Sequence, residues 1–581
     1  MPRVSTMLVL GTCLCFAGCS QNVESRSTGS GGSSGHGGTE GSGGTTSKGG
    51  SSGNGGSSAS GGSSASASGD SSSVGGGPSG GRTGSGGSSG VGGSGSGGAT
   101  NTGGNLSAGG SGSMGGTGAA GGAAARDGAP PMGGSGAADA GVSSGDCSIT
   151  VTTGSPSSKM ATVGIVEWST TLANVSSAQI VYTLNNAGAS ILNKGGTAPV
   201  DLKKAKYHTL LLGLKPSSTY TFHVEATSSS GTTCKSADGT LTTGTLSGAP
   251  SITRTATKPT AQAPGFIITS GGVTSSGSNS TMPAVVIDAD GTVVWSASAP
   301  SGCSRARMDY EGANMWMMAL NVMNSGGEMR FVSMDGQTTQ NNISGLSSSH
   351  HDFTVLPGKI ATMVWAATGS DPESNLVEHA SDGSGSSTTV FKIGSKLYAG
   401  GASVMGGGSN SYHCNSIEYH ATDDSYTIGD RNPNLFVKVT HAGSPVWQFG
   451  GTCSGAPAPK CATASWQVNH GHQLLDTGDF LFFSNGTFGS GSSPSQAFEF
   501  KLSTSGTMSA TQVKAYKSSG NEHSDSLGDV QRLPNGNTLV TFSNNGVIQE
   551  LDSSWSVVQT LKATSFGYAD WRETLYGPPP R

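Results

Sequence analysis

The sequence has few charged residues and little net charge. Lysine, arginine, aspartate and glutamate together make up only 11% of the 581 residues, and the formal net charge is −5 at pH 7. Nucleic-acid binding needs a basic surface that neutralises phosphate groups. The composition therefore gives no indication of a nucleic-acid partner.

Other absences exclude further kinds of site. The apolar run at residues 7–17 is shorter than the roughly 20 residues that a helix needs to cross a bilayer. No Cys-x-x-Cys pair occurs, so a structural zinc site is not expected, and we predict neither a metal nor a cofactor. The Ser-Gly runs of the first quarter follow no strand, which argues against phosphate-binding loops.

The N-terminal residues are typical of an exported lipoprotein. Arg3 precedes the apolar run, and small residues at 17 and 18 stand directly before Cys19. We therefore expect residues 1–19 to be a signal peptide and Cys19 to carry lipid. The protein would then be anchored in the outer membrane or at the cell surface, at the periplasmic face or the exterior. An ordinary secretion signal is the alternative.

Residues 20–146 consist almost entirely of glycine, serine, alanine and threonine. Such a segment buries too little apolar surface to offset its chain entropy, so it is predicted to be a disordered linker. As a random coil its root-mean-square reach would be about 60 Å. It either tethers a folded body to the membrane or is low-complexity sequence of unselected length.

Residues 147–246 change in character and predict a β-sandwich. Alternating apolar and polar residues indicate strands in four segments, at residues 161–168, 178–184, 208–214 and 220–226. The stretch that ends at Tyr220 resembles the tyrosine corner of β-sandwiches, and Trp168 is a candidate core residue. The segment resembles a fibronectin type III domain with a spacing or adhesive role.

Residues 247–581 repeat one hairpin plan. Four hairpins each follow a histidine-bearing segment, which contains His350 and His351, His413, His470 and His472, or His523. A second type of hairpin recurs at residues 284–295, 436–449, 497–508 and 547–561. Such alternation is typical of four-stranded antiparallel blades and predicts an all-β chain whose main domain is a β-propeller of six to eight blades. Because innermost strands start around one channel mouth, the histidines would converge there.

The cysteines indicate disulfides in an exported chain. Of nine cysteines, Cys13 and Cys15 would leave with the signal peptide. Besides Cys19, six remain, which allow 15 pairings. Cys453–Cys461 is the favoured local loop, Cys147 and Cys234 lie near the two ends of the predicted sandwich, and Cys303–Cys414 is left as a long-range pair.

The motifs of the predicted propeller carry a family resemblance. They are His350-His351-Asp352, His413-Cys414-Asn415-Ser416-Ile417 with Asp423-Asp424 and Arg431, residues 446–451, His470 ahead of Gly478 and Asn485-Gly486, residues 531–539, Tyr568 and Arg572. The most specific element is His-x-Asn-Ser with an arginine eighteen residues after the histidine. Together these motifs resemble the bacterial arylsulfate sulfotransferases that use no nucleotide sulfate donor.

The resemblance implies a six-bladed propeller and a ping-pong reaction. A histidine would take the sulfuryl group from an aryl sulfate donor and pass it to a phenolic acceptor. By position, His470 matches the histidine that is transiently sulfated. His413, Asn415 and Arg431 match the sulfate-binding group, and His351, or His350 beside it, matches a histidine of an earlier blade.

The chemistry suits these residue types. A neutral imidazole is a competent nucleophile near pH 7, and a planar guanidinium matches sulfate oxygens. His351 or His413 would protonate the departing phenolate and later deprotonate the acceptor. His350, His472 and His523 are further candidate substrate-binding residues, and the candidates for holding an aryl ring are Trp365, Phe483 and Tyr568.

This chain departs from the family pattern beside the expected nucleophile. Gly471 follows His470 where the family usually has an acid, and His472 stands two residues further on. Either histidine is therefore a candidate nucleophile, with His470 favoured. Ser484 also replaces the more usual aspartate after Phe483.

Two other classes of function remain open. A metal-dependent hydrolase would draw ligands from His350-His351-Asp352 and His470-x-His472. A noncatalytic, lipid-tethered surface protein would use the same pocket for binding. Outside the pocket, we expect His379, His420 and His441 to be surface residues near turns, and Tyr568 and Arg572 to pack where the chain ends.

Overall fold

The computed structural model describes residues 147–272, 282–300, 302–319, 327–366, 373–393, 413–431, 433–454, 456, 458–487 and 493–580. The predicted signal peptide, Cys19 and the predicted linker lie outside these ranges. Within the described ranges, no helix is long and apolar enough to cross a membrane. Regular structure there is almost entirely β, with two short 3-10 helices at Ala205–Tyr207 and Pro259–Ala261.

The first part of the described chain forms two sheets. One sheet has the strand order β1-β2-β5, and the other has the order β4-β3-β6-β7 with β8 also paired to β6. The strands are β1 (Ile149–Pro156), β2 (Gly164–Thr170), β3 (Val175–Leu184), β4 (Gly195–Pro199), β5 (Thr209–Leu211), β6 (Thr219–Ser228), β7 (Thr233–Lys235) and β8 (Gly239–Thr242).

These two sheets enclose a core whose main features follow from the sequence. Trp168 of β2 and Phe222 of β6 are buried in one apolar cluster. The backbone N–H of Lys215 donates to the Tyr220 hydroxyl at 2.8 Å, which is the bond of a tyrosine corner. The assignment to the fibronectin type III class stays a prediction.

The rest of the chain forms further sheets, which are antiparallel except at two parallel strand pairs. The strands before the first histidine motif are β9 (Thr253–Ala256), β10 (Phe266–Gly271), β11 (Ala284–Asp288), β12 (Val293–Ala297), β13 (Cys303–Met308), β14 (Asn314–Ala319), β15 (Met329–Ser333) and β16 (Thr339–Gln340). The next are β17 (Ser349–Leu356), β18 (Lys359–Ala366), β19 (Glu373–Ala380), β20 (Thr388–Lys392), β21 (Cys414–His420), β22 (Ser425–Asp430), β23 (Leu435–Thr440), β24 (Pro445–Gly450) and β25 (Cys461–Ala462). The last are β26 (Asn469–Leu474), β27 (Asp479–Ser484), β28 (Gln496–Ser503), β29 (Ser509–Tyr516), β30 (Asp529–Arg532), β31 (Thr538–Phe542), β32 (Val547–Leu551), β33 (Val557–Lys562) and β34 (Phe566–Arg572).

The predicted hairpins form, and they are arranged as in a propeller. Strands β17–β20, β21–β25, β26–β29 and β30–β33 make separate sheets in chain order, with β9 added to the edge of the last. Strands β13, β17, β21, β26, β30 and β34 adjoin one another in a closed cycle. This all-β arrangement is consistent with a β-propeller. The count of six blades stays a prediction, because β10–β16 and β34 share one eight-stranded sheet.

Bulges interrupt the strands of this cycle at the histidine motifs. The pairing shifts between Ser349 and Phe353 in β17, between Cys414 and Ser416 in β21, and around His470 in β26. A bulge adds an unpaired residue and redirects nearby side chains. The motif residues are therefore released from the strict alternation of a regular strand.

Two of the three predicted cysteine pairs are confirmed and one is wrong. Cys147–Cys234 and Cys453–Cys461 are disulfides, with Cα separations of 6.1 and 5.6 Å. Cys303 and Cys414 are free buried thiols that pack in two different apolar clusters. The Cys303 thiol donates to a backbone carbonyl of its own strand, so the two sulfurs do not meet.

The sandwich is joined to the propeller by buried polar contacts. Lys215 pairs with Asp288 and, at 2.9 Å, with Asp290. The Lys215 and Asp288 side chains are 10% and 0% exposed. The backbone N–H of Leu212 donates to the Tyr576 hydroxyl at 2.7 Å. These bonds fix the sandwich against the sheets that follow it.

Candidate active site

The bulge in β17 brings two consecutive histidine rings together. Neighbouring residues of a regular strand point to opposite faces. Here His351 has a φ of 63°, and the ring centroids of His350 and His351 lie 5.3 Å apart. Their Nδ1 atoms are 3.1 Å apart, within hydrogen-bond range. Left-handed backbone is costly for such a side chain, and strain of this kind concentrates at functional sites.

A third ring, that of His413 just before the next strand of the cycle, joins these two, and we call His350, His351 and His413 the histidine row. His351 Nε2 lies 2.9 Å from His413 Nε2, and His350 Nε2 lies 3.0 Å from the Ser374 hydroxyl. Trp365 stacks on the His350 ring at 4.0 Å. Burial lowers the pKa of His350 to about 3. Burial, and then the neighbouring histidines for His351 and Arg431 for His413, lowers the pKa of these two rings well below the usual range. All three rings are therefore neutral near pH 7.

One ring nitrogen of His470 is held by a hydrogen bond, and the other is left without one. Its Nδ1 hydrogen-bonds to Asn485 Oδ1, and the Asn485 amide donates to the carbonyls of Ser524 at 2.6 Å and Leu527 at 2.8 Å. Since an amide oxygen only accepts, the hydrogen of His470 is on Nδ1. Nε2 is buried and makes no hydrogen bond among the described residues. Burial, and then Arg431, lowers the pKa of His470 to about 3.

Asn415 hydrogen-bonds to residues of two other strands at the centre of the site. Its amide donates to the Asn469 carbonyl at 2.6 Å, and its backbone carbonyl accepts from the Tyr568 hydroxyl at 2.8 Å. The Asn415 Oδ1 atom is buried and makes no hydrogen bond to the described part of the chain. Tyr568 lies beside His470, with ring centroids 6.4 Å apart.

Arg431 supplies the positive charge near the histidines. It follows β22, and its backbone N–H donates to the His413 carbonyl at 3.2 Å. Its charge contributes to the lowered pKa of His351, His413 and His470 alike. The structure thus brings together His351, His413, His470 and Arg431, and their catalytic roles stay predictions.

His472 has a different environment from His470. Its Nδ1 lies 2.8 Å from the Ser416 hydroxyl and its Nε2 2.8 Å from the Thr427 hydroxyl. Its ring stacks on Phe480 within the blade core. Both nitrogens are therefore occupied.

Several other candidates lie apart from this group. His523 hydrogen-bonds to the Ser493 carbonyl and to Asp525. Phe483 is fully buried and packs against Phe542. Within the described residues, neither of them hydrogen-bonds to or stacks on His350, His351, His413 or His470.

Two of the three histidines expected at the surface are not there. His379 is 2% exposed, and the side chain of His420 is 9% exposed. Both lie between packed strands, where His379 Nδ1 meets a backbone carbonyl and His420 Nε2 meets the Thr427 hydroxyl. The side chain of His441 is 34% exposed, which is the largest exposed fraction of the three.

Sequence reasoning missed a buried charge network beside the site. Arg305 of β13 forms ion pairs with Asp352 at 2.5 Å and with Asp529 and Asp570 at 3.1 Å each. Its guanidinium lies 4.4 Å from the centre of the Tyr568 ring. The available signal was an aspartate in each of three strands of the cycle, β17, β30 and β34. A cavity of about 60 Å³ adjoins the network, lined in part by Arg305, Asp352, Glu418, His472, Asp529 and Asp570.

The described residues contain no metal-ligand cluster. No three His, Cys, Asp or Glu side chains within those ranges are grouped so that they could hold one ion. The candidate ligands of a metal-dependent hydrolase have other partners in this structure. His472 hydrogen-bonds inside its own blade, and Asp352 pairs with Arg305.

Solved structures give only weak similarities. A protein of unknown function from Bacteroides caccae is 14% identical, covers 52% of this chain and 98% of its own, and has a TM-score of 0.34. A protein from Lactobacillus plantarum is 10% identical, with coverages of 68% and 99% and a TM-score of 0.33. Virginiamycin B lyase from Staphylococcus aureus is 11% identical, with coverages of 54% and 88% and a TM-score of 0.30. At such TM-scores these similarities carry no conclusion.

The sequence itself gives a clear family match. No curated protein matches the chain. The family model described as arylsulfotransferase (ASST) matches residues 251–566, which is more than half of the sequence and contains every residue of the histidine row. The chain therefore belongs to the arylsulfotransferase family.

Proposed function

We propose that the protein transfers a sulfuryl group from an aryl sulfate to a phenol through a sulfated histidine, His470. The observation that carries the proposal is the state of the His470 ring. Asn485 binds its Nδ1 hydrogen, so a lone pair stands on Nε2, which is buried and without a hydrogen bond among the described residues. A fixed, desolvated and neutral imidazole is the form that attacks best.

His470 is preferred to His472 because of their ring nitrogens. His472 already uses both nitrogens, on Ser416 and Thr427, and stacks in the blade core. An attack by His472 would need the hydrogen bond at the attacking nitrogen to break. His470 Nε2 has no such bond to lose among the described residues.

The reaction is a transfer in two steps. In the first step Nε2 of His470 bonds to sulfur, the bond from sulfur to the aryl oxygen breaks, and the phenolate leaves. In the second step the acceptor phenol takes the sulfuryl group and restores the imidazole. Arg431 offers charge and planar donors to the sulfate oxygens, and charge stabilisation of this kind dominates such transfers.

The site of action is part of the same proposal. Residues 1–19 support export and a lipid on Cys19. Donor and acceptor would then be met outside the cytoplasm, by a protein held at a membrane.

The test is intact-mass analysis of the full chain after mixing with a nitrophenyl or methylumbelliferyl sulfate. A gain of one sulfuryl group, about 80 Da, is expected in the wild type and in His472→Gln but not in His470→Ala. A gain that survives in His470→Ala would move the nucleophile elsewhere. Phenol release without adduct would indicate hydrolysis, and neither release nor adduct would indicate a binding protein.

A further inference from the structure

The three imidazoles described above form a buried row with one open end. The contacts run from Ser374 to His350, from His350 to His351 and from His351 to His413, at 3.0, 3.1 and 2.9 Å. His413 Nδ1 hydrogen-bonds to no residue that the structure describes, and His413 is partly exposed, so we take this nitrogen as the end that faces a ligand. His350 uses one ring nitrogen on His351 and the other on Ser374, and its face stacks on Trp365, so no nitrogen of this ring is left for a substrate.

We propose that His350 and Ser374 extend the acid–base group His413 into a proton relay, which lends one proton to the departing phenolate and recovers it from the acceptor phenol. This inference rests on the proposed sulfuryl transfer. His413 is the catalytic acid and base, whereas His350 and Ser374 are positioning residues that act through it.

The nitrogen pairs make the three rings a single unit. Each contact between two ring nitrogens needs one hydrogen, which is on one partner and absent from the other. If His413 carries its hydrogen on Nδ1, its Nε2 must accept from His351, and His351 must then accept from His350. His350 must in turn accept from the Ser374 hydroxyl. If His413 Nδ1 carries no hydrogen, each of these hydrogen bonds runs in the opposite direction. The Ser374 hydroxyl fits both arrangements because a hydroxyl can donate and accept.

The proton balance closes over the two steps. When the anionic donor binds, the row takes up one proton from solvent, and any of the three rings can carry this excess proton by shifts along the hydrogen bonds. When the bond between sulfur and aryl oxygen breaks, His413 Nδ1 gives this proton to the phenolate and the row becomes neutral. The acceptor phenol later returns a proton to His413 Nδ1 as its oxygen takes the sulfuryl group from His470.

The burial of the row explains why three rings are used. The free rings are neutral, since burial, and then nearby Arg431 for His413, holds their pKa below the usual range. A single buried imidazolium beside Arg431 would be unfavourable. Spreading the proton toward Ser374 moves the charge away from Arg431, and the stacked Trp365 ring offers the cation an aromatic face.

The test compares two relay variants with a matched control. His350→Phe keeps a ring on Trp365 and breaks the row, and Ser374→Ala removes only the terminal hydroxyl. His379→Phe changes a buried histidine of the same sheet that bonds only to a backbone carbonyl. For each protein, kcat/KM for phenol release would be measured with aryl sulfates whose phenols differ in acidity, in H₂O and in D₂O.

Proton delivery matters most for a weakly acidic leaving phenol. We expect His350→Phe to lose about tenfold or more with the least acidic phenol, less than about twofold with the most acidic one, and part of its solvent isotope effect. Ser374→Ala should follow the same pattern more weakly, and His379→Phe should not. An equal loss with every donor, or no loss in either relay variant, would overturn the relay while sulfuryl transfer stands. Absence of the sulfuryl adduct in the wild type would overturn both.

Discussion

The carboxylate of Asp529 fills the space beside the backbone of Gly471. A Cβ atom built on Gly471 would overlap Asp529 Oδ1, and Asp529 in turn pairs with Arg305. The acid that the family resemblance leads one to expect at position 471 is thus absent, and the next strand of the cycle supplies a carboxylate to the same place. The glycine is a packing requirement of this site.

Gly471→Ala should therefore destabilise the protein. Overpacking of a dense interior costs about 1–3 kcal/mol, and the free energy of unfolding from urea titrations would measure it. Gly188→Ala is the control, because no atom lies within 4 Å of a Cβ there. Asp529→Gly should restore part of the stability lost in Gly471→Asp, and a simple sum of the two losses would contradict this account.

Asn485→Leu should slow the transfer without weakening donor binding. The Asn485 side chain fixes the tautomer of His470, and its amide nitrogen is used on the carbonyls of Ser524 and Leu527, so no donor of this side chain is left for sulfate. Loss of such a supporting bond typically reduces activity about 10–100-fold, and here the loss should fall on kcat, with KM little changed.

Steady-state kinetics and the rate of adduct formation would test this. Asn537→Leu is a suitable control, since Asn537 is equally buried but bonds to Glu550 and a backbone carbonyl. A rise in KM with unchanged kcat in Asn485→Leu would count against the orienting role.

The buried histidines predict acid sensitivity. Burial lowers the pKa of His350, His351, His413, His420, His470 and His472. Below about pH 6.5 these histidines take up protons in the unfolded chain but not in the folded one, so stability falls as the pH falls toward 4. Four buried carboxyls act in the opposite sense. Burial raises the pKa of Glu418 to about 8 and of Asp529 to about 7, and it also raises the pKa of Asp309 and Glu550.

The six histidines outnumber the four carboxyls below pH 6.5, and among these groups it is Glu418 and Asp529 that titrate near pH 7 to 8. We therefore expect stability to be greatest at about pH 6–7, with a steep decline on the acid side and a shallow one on the basic side. Urea midpoints at pH 5, 6.5 and 8 would measure it. A midpoint at pH 5 equal to or above that at pH 6.5 would contradict the prediction.

Lys215→Met should destabilise the folded chain strongly. The substitution leaves the carboxylates of Asp288 and Asp290 without their shared cation, and removing one partner of a buried pair costs about 3–5 kcal/mol. Lys206→Met is the control, since the 72% exposed Lys206 pairs with Glu167 at the surface and should matter by less than about 1 kcal/mol. Equal effects of the two substitutions on urea unfolding would show that the contact of Lys215 with Asp288 and Asp290 does not act as a buried ion pair.

The hairpins were predictable because their signals are local. Turn residues such as Gly478, with a φ of 81°, and alternating apolar residues depend on a few neighbouring positions. The relation between His350 and His351 was not predictable, since it depends on a bulge set by pairing with the next strand. Arg305 was missed for the same reason, because its three aspartates come from three distant strands.

The wrong cysteine pair has a similar cause. Counting the cysteines left Cys303 and Cys414 over, and an even number suggested a bond. Whether two cysteines meet depends on the blades that hold them, and these two are packed in separate clusters. The strands could be predicted from local sequence patterns, whereas the cysteine pairing and the contacts of the site depend on which distant strands lie side by side.

The Cys147–Cys234 disulfide has a mechanical consequence. Tension applied to the chain ahead of Cys147 passes through the sulfur bridge directly to Cys234 and bypasses the strands between them. Those strands would stay folded under a pull, and the first noncovalent structure to bear the load would be the short strand β8 and the joint with the sheets behind it. Reduction of this one bond would redirect the force through the whole sandwich and turn a stiff connector into an extensible one.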